Sequence, residues 1–169
     1  KEVVIPKTIK NIKNKAFCGC EKLKKINFSN ELNVQVVGFY AFKGCKMLEN
    51  ITFHNLQTCG KGCFEDCLKL KNVIFPEQGF RVLEENVFYN NPCLTSFTFT
   101  KGIEIVKDNF KQCDELKKIT FFNKDLDVKD FILNISKEVV LYGDEGYKVQ
   151  DMALYGYKFI LRQYEYIYG

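Results

Sequence analysis

Tryptophan is absent, histidine occurs once and arginine twice. No apolar run reaches the roughly 18 residues that a membrane-spanning helix needs, so no membrane insertion is expected within this chain. With His54 as the one histidine, the chain offers little with which to assemble an activated nucleophile, a base and an orienting group, and no enzymatic activity is expected. There is no glycine-rich phosphate loop, and nothing calls for a cofactor. No leader segment is visible. The chain begins Lys1-Glu2-Val3-Val4-Ile5-Pro6, which already reads as the interior of a strand, as expected of a mature or trimmed fragment, and secretion stays open. The net charge of +4 reads as spread along the chain, too weak and diffuse to argue for nucleic acid.

What is present describes one folded domain: 169 residues, 46% hydrophobic and 27% charged, enough to bury a core. Phenylalanine is abundant at 16, which suggests one structural position filled repeatedly. Self-similarity bears this out. Ala16-Phe17-Cys18-Gly19-Cys20-Glu21-Lys22-Leu23 aligns with Ala41-Phe42-Lys43-Gly44-Cys45-Lys46-Met47-Leu48, with Cys63-Phe64-Glu65-Asp66-Cys67-Leu68-Lys69-Leu70 and with Asn109-Phe110-Lys111-Gln112-Cys113-Asp114-Glu115-Leu116. A fifth segment, Val87 to Leu94, fits with Asn91 in place of cysteine. The phenylalanines at 17, 42, 64, 88 and 110 are 22 to 25 residues apart, within the leucine-rich-repeat range of about 20–29.

After each leucine, two apolar residues follow two apart, which is strand periodicity: Ile26 and Phe28, Ile51 and Phe53, Val73 and Phe75, Phe97 and Phe99, Ile119 and Phe121. A second column, Ile12, Val37, Cys59, Leu83 and Ile105, stands five residues before each phenylalanine. A sixth, degenerate turn is expected from Leu126, Phe131 and Asn134, with its strand at Val139 to Tyr142. One repeat cannot bury its apolar face alone, whereas stacked repeats turn like positions into ladders. Phenylalanine fills a wide slot, and Ala16, Ala41 and Cys63 fill a narrow one beside it.

These columns resemble the BspA-like, or Treponema pallidum type, leucine-rich repeat family. Ile5-Pro6 and Phe75-Pro76 carry its Ile-Pro element, the Ala-Phe-x-x-Cys-x-x-Leu segments follow, and the ending Leu141-Tyr142-Gly143 through Gly156-Tyr157-Lys158-Phe159 is also similar. The resemblance covers nearly all of residues 1–160 and departs at Asn91, at Asn134 and in the loop Ser29 to Asn33. It implies an α/β-type repeat solenoid with a parallel sheet on one face, and a cell-surface or secreted protein associated with adhesion and with binding of host or matrix proteins. No catalytic residue comes with it.

The architecture expected is a right-handed solenoid of about six turns over residues 1–142, one parallel strand per turn, closed by a cap and tail in residues 143–169 of the same domain. A short capping helix is expected over Gly146 to Tyr155, where Val149, Met152 and Ala153 lie at helical spacing. The tail Tyr164-Glu165-Tyr166-Ile167-Tyr168 alternates like a strand that could pair with the last edge.

Eight cysteines invite a disulfide or metal reading. Cys20, Cys45, Cys67 and Cys113 share one ladder position, where asparagine or cysteine caps buried backbone groups at the turn. They are expected to be reduced and buried. Cys59 and Cys63 fall in two core columns, while Cys18 and Cys93 lie outside any ladder and are expected to be the reactive pair. Stacked neighbours point the same way, which disfavours a disulfide. The Cys59, Cys63, Cys67 spacing departs from zinc-site patterns, and no metal is expected. Three sequons, at Asn27, Asn50 and Asn134, matter only in a secreted eukaryotic protein; Asn134, at the buried ladder position, is expected to be unmodified.

Between the inward residues of each strand, one column must face outward: Asn27, Thr52, Ile74, Thr98 and Thr120. The column before it reads Lys25, Asn50, Asn72, Ser96 and Lys118. Together they form a polar, mildly basic strip, a candidate site for a protein or glycan partner, since solenoids use such extended surfaces. A simply solvated sheet face would look the same. Two functions stay open: a surface recognition module, or a spacer, scaffold or intracellular protein–protein interaction repeat.

Overall fold

The structure, a computed structural model, describes residues 1–29, 34–76, 78–99, 104–105, 108–121, 135–136, 138–143 and 158–161. Its strands follow in order as β1 (Glu2–Ile5), β2 (Asn11–Ile12), β3 (Lys25–Phe28), β4 (Val36–Val37), β5 (Asn50–Thr52), β6 (Thr58–Cys59), β7 (Asn72–Ile74), β8 (Val82–Leu83), β9 (Ser96–Phe99), β10 (Glu104–Ile105), β11 (Lys118–Phe121), β12 (Val140–Gly143) and β13 (Lys158–Leu161). Among the described residues all pairing is parallel; up to β11 it skips to the equivalent strand of the next coil, as in a solenoid, and β11, β12 and β13 then pair in succession.

Two faces result. The first carries β1–β3, β5–β7 and β9–β11–β12–β13, with β3 beside β5 and β7 beside β9. These strands lie where the sequence places them, at Ile26, Ile51, Val73, Phe97, Ile119 and Val140. The second face was not foreseen as a sheet. The column Ile12, Val37, Cys59, Leu83, Ile105 forms its own five-stranded ladder β2–β4–β6–β8–β10, so the described coils carry two parallel ladders where one was expected. Each of its strands is two residues long, too short to show alternation in sequence. Five stacked coils are defined by this ladder. The columns of the expected sixth turn at Leu126, Phe131 and Asn134, the capping helix over 146–155 and the tail 164–168 all lie outside the described residues. The last edge, β12, is paired in parallel by Lys158–Leu161.

The core between the faces is made of stacked columns. Leu48, Leu70 and Leu94 are fully buried, as are Phe42, Phe64 and Phe88. Phe17, Phe42, Phe64, Phe88 and Phe110 form a continuous ring stack, with centroids 5.2, 5.3, 5.9 and 5.7 Å apart and planes within 12° of parallel. Such offset stacking adds to the area buried. A second aromatic file, Phe28, Phe53 and Phe75, runs beside it, tilted against the first.

The corner between the two faces repeats two left-handed residues per coil. Lys15, Tyr40, Gly62, Asn86 and Asp108 occupy the first position, and Gly19, Gly44, Asp66, Asn90 and Gln112 the second, all with φ between 55° and 73°. The N–H groups of these two residues, and of the phenylalanine between them, donate forward to the next coil: Lys15 to the carbonyl of Phe39, Phe17 to Ala41 and Gly19 to Lys43, at 2.7–2.9 Å. Tyr40, Phe42 and Gly44 repeat the pattern onto Lys61, Cys63 and Glu65.

Side chains stitch in the opposite direction. The Cys45 thiol donates back to the Phe17 carbonyl at 3.2 Å, Cys67 to Phe42 at 3.2 Å and Cys113 to Phe88 at 3.1 Å. Asn91 takes the same place through Nδ2, 2.9 Å from the Phe64 carbonyl. This explains why asparagine can replace cysteine there: each brings a donor to the carbonyl on a short side chain, and the Asn91 amide has a second N–H, which reaches the Tyr89 carbonyl at 3.3 Å.

Cys20 departs from the expected burial and is exposed. Its ladder position needs the phenylalanine carbonyl of the coil before, and among the described residues none stands there. The second correction concerns Cys59 and Cys63, which are bonded to each other as a disulfide, with Cα atoms 6.5 Å apart. The pairing runs across a corner within one coil, so the parallel orientation of stacked side chains, which disfavours pairing between coils, does not apply. Closing so short a loop contributes about 2 kcal/mol in the chain-entropy picture.

Burial pushes the Cys45 and Cys113 thiols up to about 12, and lifts Cys67 well above its ordinary range. Thiolate is the reactive form. Labelling of the folded protein is therefore expected to modify Cys18 and Cys20 fast, and Cys45, Cys67 and Cys113 only on unfolding; fast reaction of the buried three would contradict the packing. The same shifts set a pH dependence. Unfolded thiols lose their protons near 9 while the folded ones hold them to about 12, so this share of stability is complete below pH 9 and falls as pH rises through that window. The slope is at most about 1.4 kcal/mol per pH unit per thiol. Urea midpoints of wild type and Cys113→Asn should converge between pH 9 and 11; parallel curves would sink the prediction.

Candidate interaction surface

Strand alternation turns Ile26, Ile51, Val73, Phe97 and Ile119 inward, and the residues on either side of each face outward. Parallel register then aligns like positions across the first face. Asn50 lies opposite Asn72, Thr52 opposite Ile74, Ser96 opposite Lys118, and Thr98 opposite Thr120. The Asn72 amide donates to Asn50 Oδ1 at 2.8 Å, and Asn27 Nδ2 donates to Glu2 Oε2 at 3.3 Å. Lys118 Nζ stands 4.6 Å from the centre of the Tyr142 ring, a cation–π contact.

Lys25, Asn50, Asn72, Ile74, Thr98 and Lys118 are exposed, and Asn27, Thr52 and Ser96 are half-buried. Thr120 is buried: it is flanked in register by Thr98 and Tyr142, and alternation fixes a side chain's direction without saying what its larger neighbour covers. The strip is less uniformly polar than its columns suggest, because Ile74 is 56% exposed and Val4, in register with Asn27, is 60% exposed. Val4, Glu2 and Tyr142 extend the strip beyond the residues picked from sequence. Their signal was the register itself, which only the pairing of β1 and β12 supplies.

The metal spacing of Cys59, Cys63 and Cys67 resolves into other roles, since the first two sulfurs are bonded together and the third donates to a carbonyl. His54 is exposed in the bend after β5. Among the described residues no helix is long and apolar enough to cross a membrane.

Charge is distributed in a way the total concealed. Residues 1–25 hold eight lysines against two glutamates, while the remainder, with seventeen basic and nineteen acidic residues, is slightly negative. The net charge is concentrated at the first coil and is not spread along the chain.

No curated protein sequence matches the chain. Among solved structures it is similar to the T. pallidum leucine-rich repeat protein, with 21% identity, 94% of this chain and 85% of that one covered, and a TM-score of 0.64. A leucine-rich cell surface protein from Faecalibacterium prausnitzii is 23% identical over 71% of this chain and 38% of its own, with a TM-score of 0.54. The pneumococcal vaccine antigen PcpA is 15% identical over 96% and 68%, with a TM-score of 0.52. At these identities the likeness is one of fold. The sequence profile of the BspA type leucine rich repeat region matches residues 1–117 in six copies. With the two-ladder coil, the phenylalanine stack and the backward-donating cap column, that match places the chain in the BspA-type leucine-rich-repeat family.

Proposed function

We propose that this chain is a non-enzymatic recognition module, displayed at a cell surface or secreted, that binds a host or matrix protein or glycan along its first face. The observation that carries this is the register: one outward row of amides, hydroxyls and lysines repeats across successive strands, with Asn50 and Asn72 joined into a ladder. A repeated row suits an extended partner better than a small pocketed one. The family's repeats generally serve protein interaction, and similar folds include a cell surface protein and a vaccine antigen. Individual contacts are modest, so avidity from many copies strengthens attachment.

The test replaces Asn50, Asn72 and Thr98 together by glutamate or arginine and measures attachment to host cells and matrix proteins. All three are exposed, and the fold should be retained with melting within a few degrees. Attachment should fall by about tenfold or more, the effect of roughly 1.4 kcal/mol. Undiminished attachment by the folded variant would rule out the first face and favour a spacer or scaffold.

A further inference from the structure

Lys7, Lys10, Lys13, Lys15, Lys22, Lys24 and Lys25 are all exposed. Among the described residues none of the seven takes part in an ion pair. The acceptors lie elsewhere: Glu21 is held by Lys46 at 2.7 Å, and Glu2 accepts from Asn27. In later coils Lys43 and Lys61 are tied across coils, to Glu65 at 2.7 Å and to Glu85 at 3.0 Å, while Lys69, Lys71 and Lys111 are exposed. The first coil thus keeps its positive charge uncompensated.

This charge surrounds a shape. On the second face, between the first and second coils, Asn11, Ile12, Lys13, Asn14, Val36 and Gly38 line an open hollow of about 490 Å³. Gly38 is required there, since a Cβ would lie 2.6 Å from the Asn14 backbone nitrogen. Asn14 Oδ1 accepts the Phe39 N–H at 2.9 Å, which leaves the Asn14 amide N–H groups as donors, and the Phe39 ring beside it is 48% exposed. Lys10 and Lys15 flank the lining residues in sequence. One lysine, Lys13, and the side chains of Asn11 and Asn14 thus line one concave place.

We propose that this hollow binds a linear sulfated polysaccharide, with sulfate groups on Lys10, Lys13 and Lys15 and hydroxyls on Asn11 and Asn14. Size and chemistry both fit: the volume falls within the range of small-ligand clefts, and lysine is a compact point charge suited to scattered sulfates. A nucleic-acid strand is less well served, because stacking needs a succession of exposed aromatics and none lines the hollow. The site lies on the opposite face from the first-sheet strip, so the two readings stand or fall separately.

The probe is a fluorescent heparin oligosaccharide. Wild type should bind it, and binding should weaken by about tenfold or more when salt rises from about 50 to 200 mM. Lys10→Glu/Lys13→Glu/Lys15→Glu should lose at least about tenfold, and Asn11→Ala should weaken binding without any change in charge. Lys69→Glu/Lys71→Glu/Lys111→Glu carries the same net change on exposed positions of later coils and should stay near wild type. Equal loss in both triple variants reduces the effect to bulk charge and overturns the site. Binding of fully desulfated heparin as tight as the sulfated form overturns the ligand class. Tighter binding of a DNA duplex or of phosphatidylserine vesicles than of heparin overturns it in favour of those partners.

Discussion

Phe64→Ala is expected to destabilise the protein by about 3–5 kcal/mol. The ring is fully buried, stacked at 5.3 Å on Phe42 and at 5.9 Å on Phe88, and it also meets Phe53 from the side file. Removing it opens a cavity whose walls belong to three coils, and those walls cannot collapse without breaking the forward hydrogen bonds from Tyr40, Phe42 and Gly44. In a nearest-neighbour stack both interfaces of the coil weaken at once. Against a total stability of about 5–15 kcal/mol for a typical domain, the loss is a large fraction. Phe17→Ala is the internal comparison. Phe17 is half-buried and stacked on one side only, so it should cost less than half as much. Urea unfolding of the two variants checks the ranking; equal losses would show that the ring column is not the main support.

Gly60→Ala should cost on the order of 3 kcal/mol, although a glycine-to-alanine change at an unstrained site normally stabilises by roughly 0.4–1 kcal/mol through the unfolded chain. The sign reverses because a Cβ at residue 60 would stand 2.9 Å from the Gly38 carbonyl carbon and from the Phe39 nitrogen, and 2.6 Å from Phe39 Cδ1. The ring is exposed and can move; the backbone of the second coil cannot move without separating β4 from β6. Gly19→Ala has nothing within 4 Å of the added carbon and meets only the left-handed backbone, φ 73°. It should cost about 1–2 kcal/mol. A thermal melt in which Gly60→Ala unfolds no earlier than Gly19→Ala would mean the coils are less closely apposed than described.

Most of the fold could be read from the sequence because a coil repeats its demands. Phe17, Phe42, Phe64, Phe88 and Phe110 each occupy the same slot, and five occurrences reveal a constraint that one would hide. The cap column was legible for the same reason, down to the exchange of cysteine for Asn91. What escaped depends on relations between coils or within a corner. The second ladder is built from two-residue strands, which leave no periodic trace. Cys20 follows the column's pattern but is exposed, because its donor is directed at a carbonyl of the coil before. The Cys59–Cys63 bond spans one corner, a distance that column spacing does not report. In the candidate strip, alternation picks out ten positions, of which six are exposed, while the burial of Thr120 depends on its neighbours across the sheet. The gathering of eight lysines in residues 1–25 stood in the sequence and was lost in the total of +4, whereas the hollow depends on how Gly38 stacks against Asn14 in the coil before.

The two opposed sets of inter-coil bonds, backbone N–H groups reaching forward and cap side chains reaching back, bear on how such a chain can change by descent. The described junctions from Phe17 to Phe88 present the same backbone donors on one side and the same acceptors on the other, so these coils are interchangeable in their backbone bonding. A duplication or deletion of one whole period, anywhere between the phenylalanines at 42 and 88, restores every bond at the new junction. An insertion of any other length leaves thiols facing the wrong carbonyl and left-handed bends out of step. Length in whole periods is therefore nearly free to drift, while phase is held fixed, and lineages should differ in the number of coils far more readily than in the geometry of any one of them.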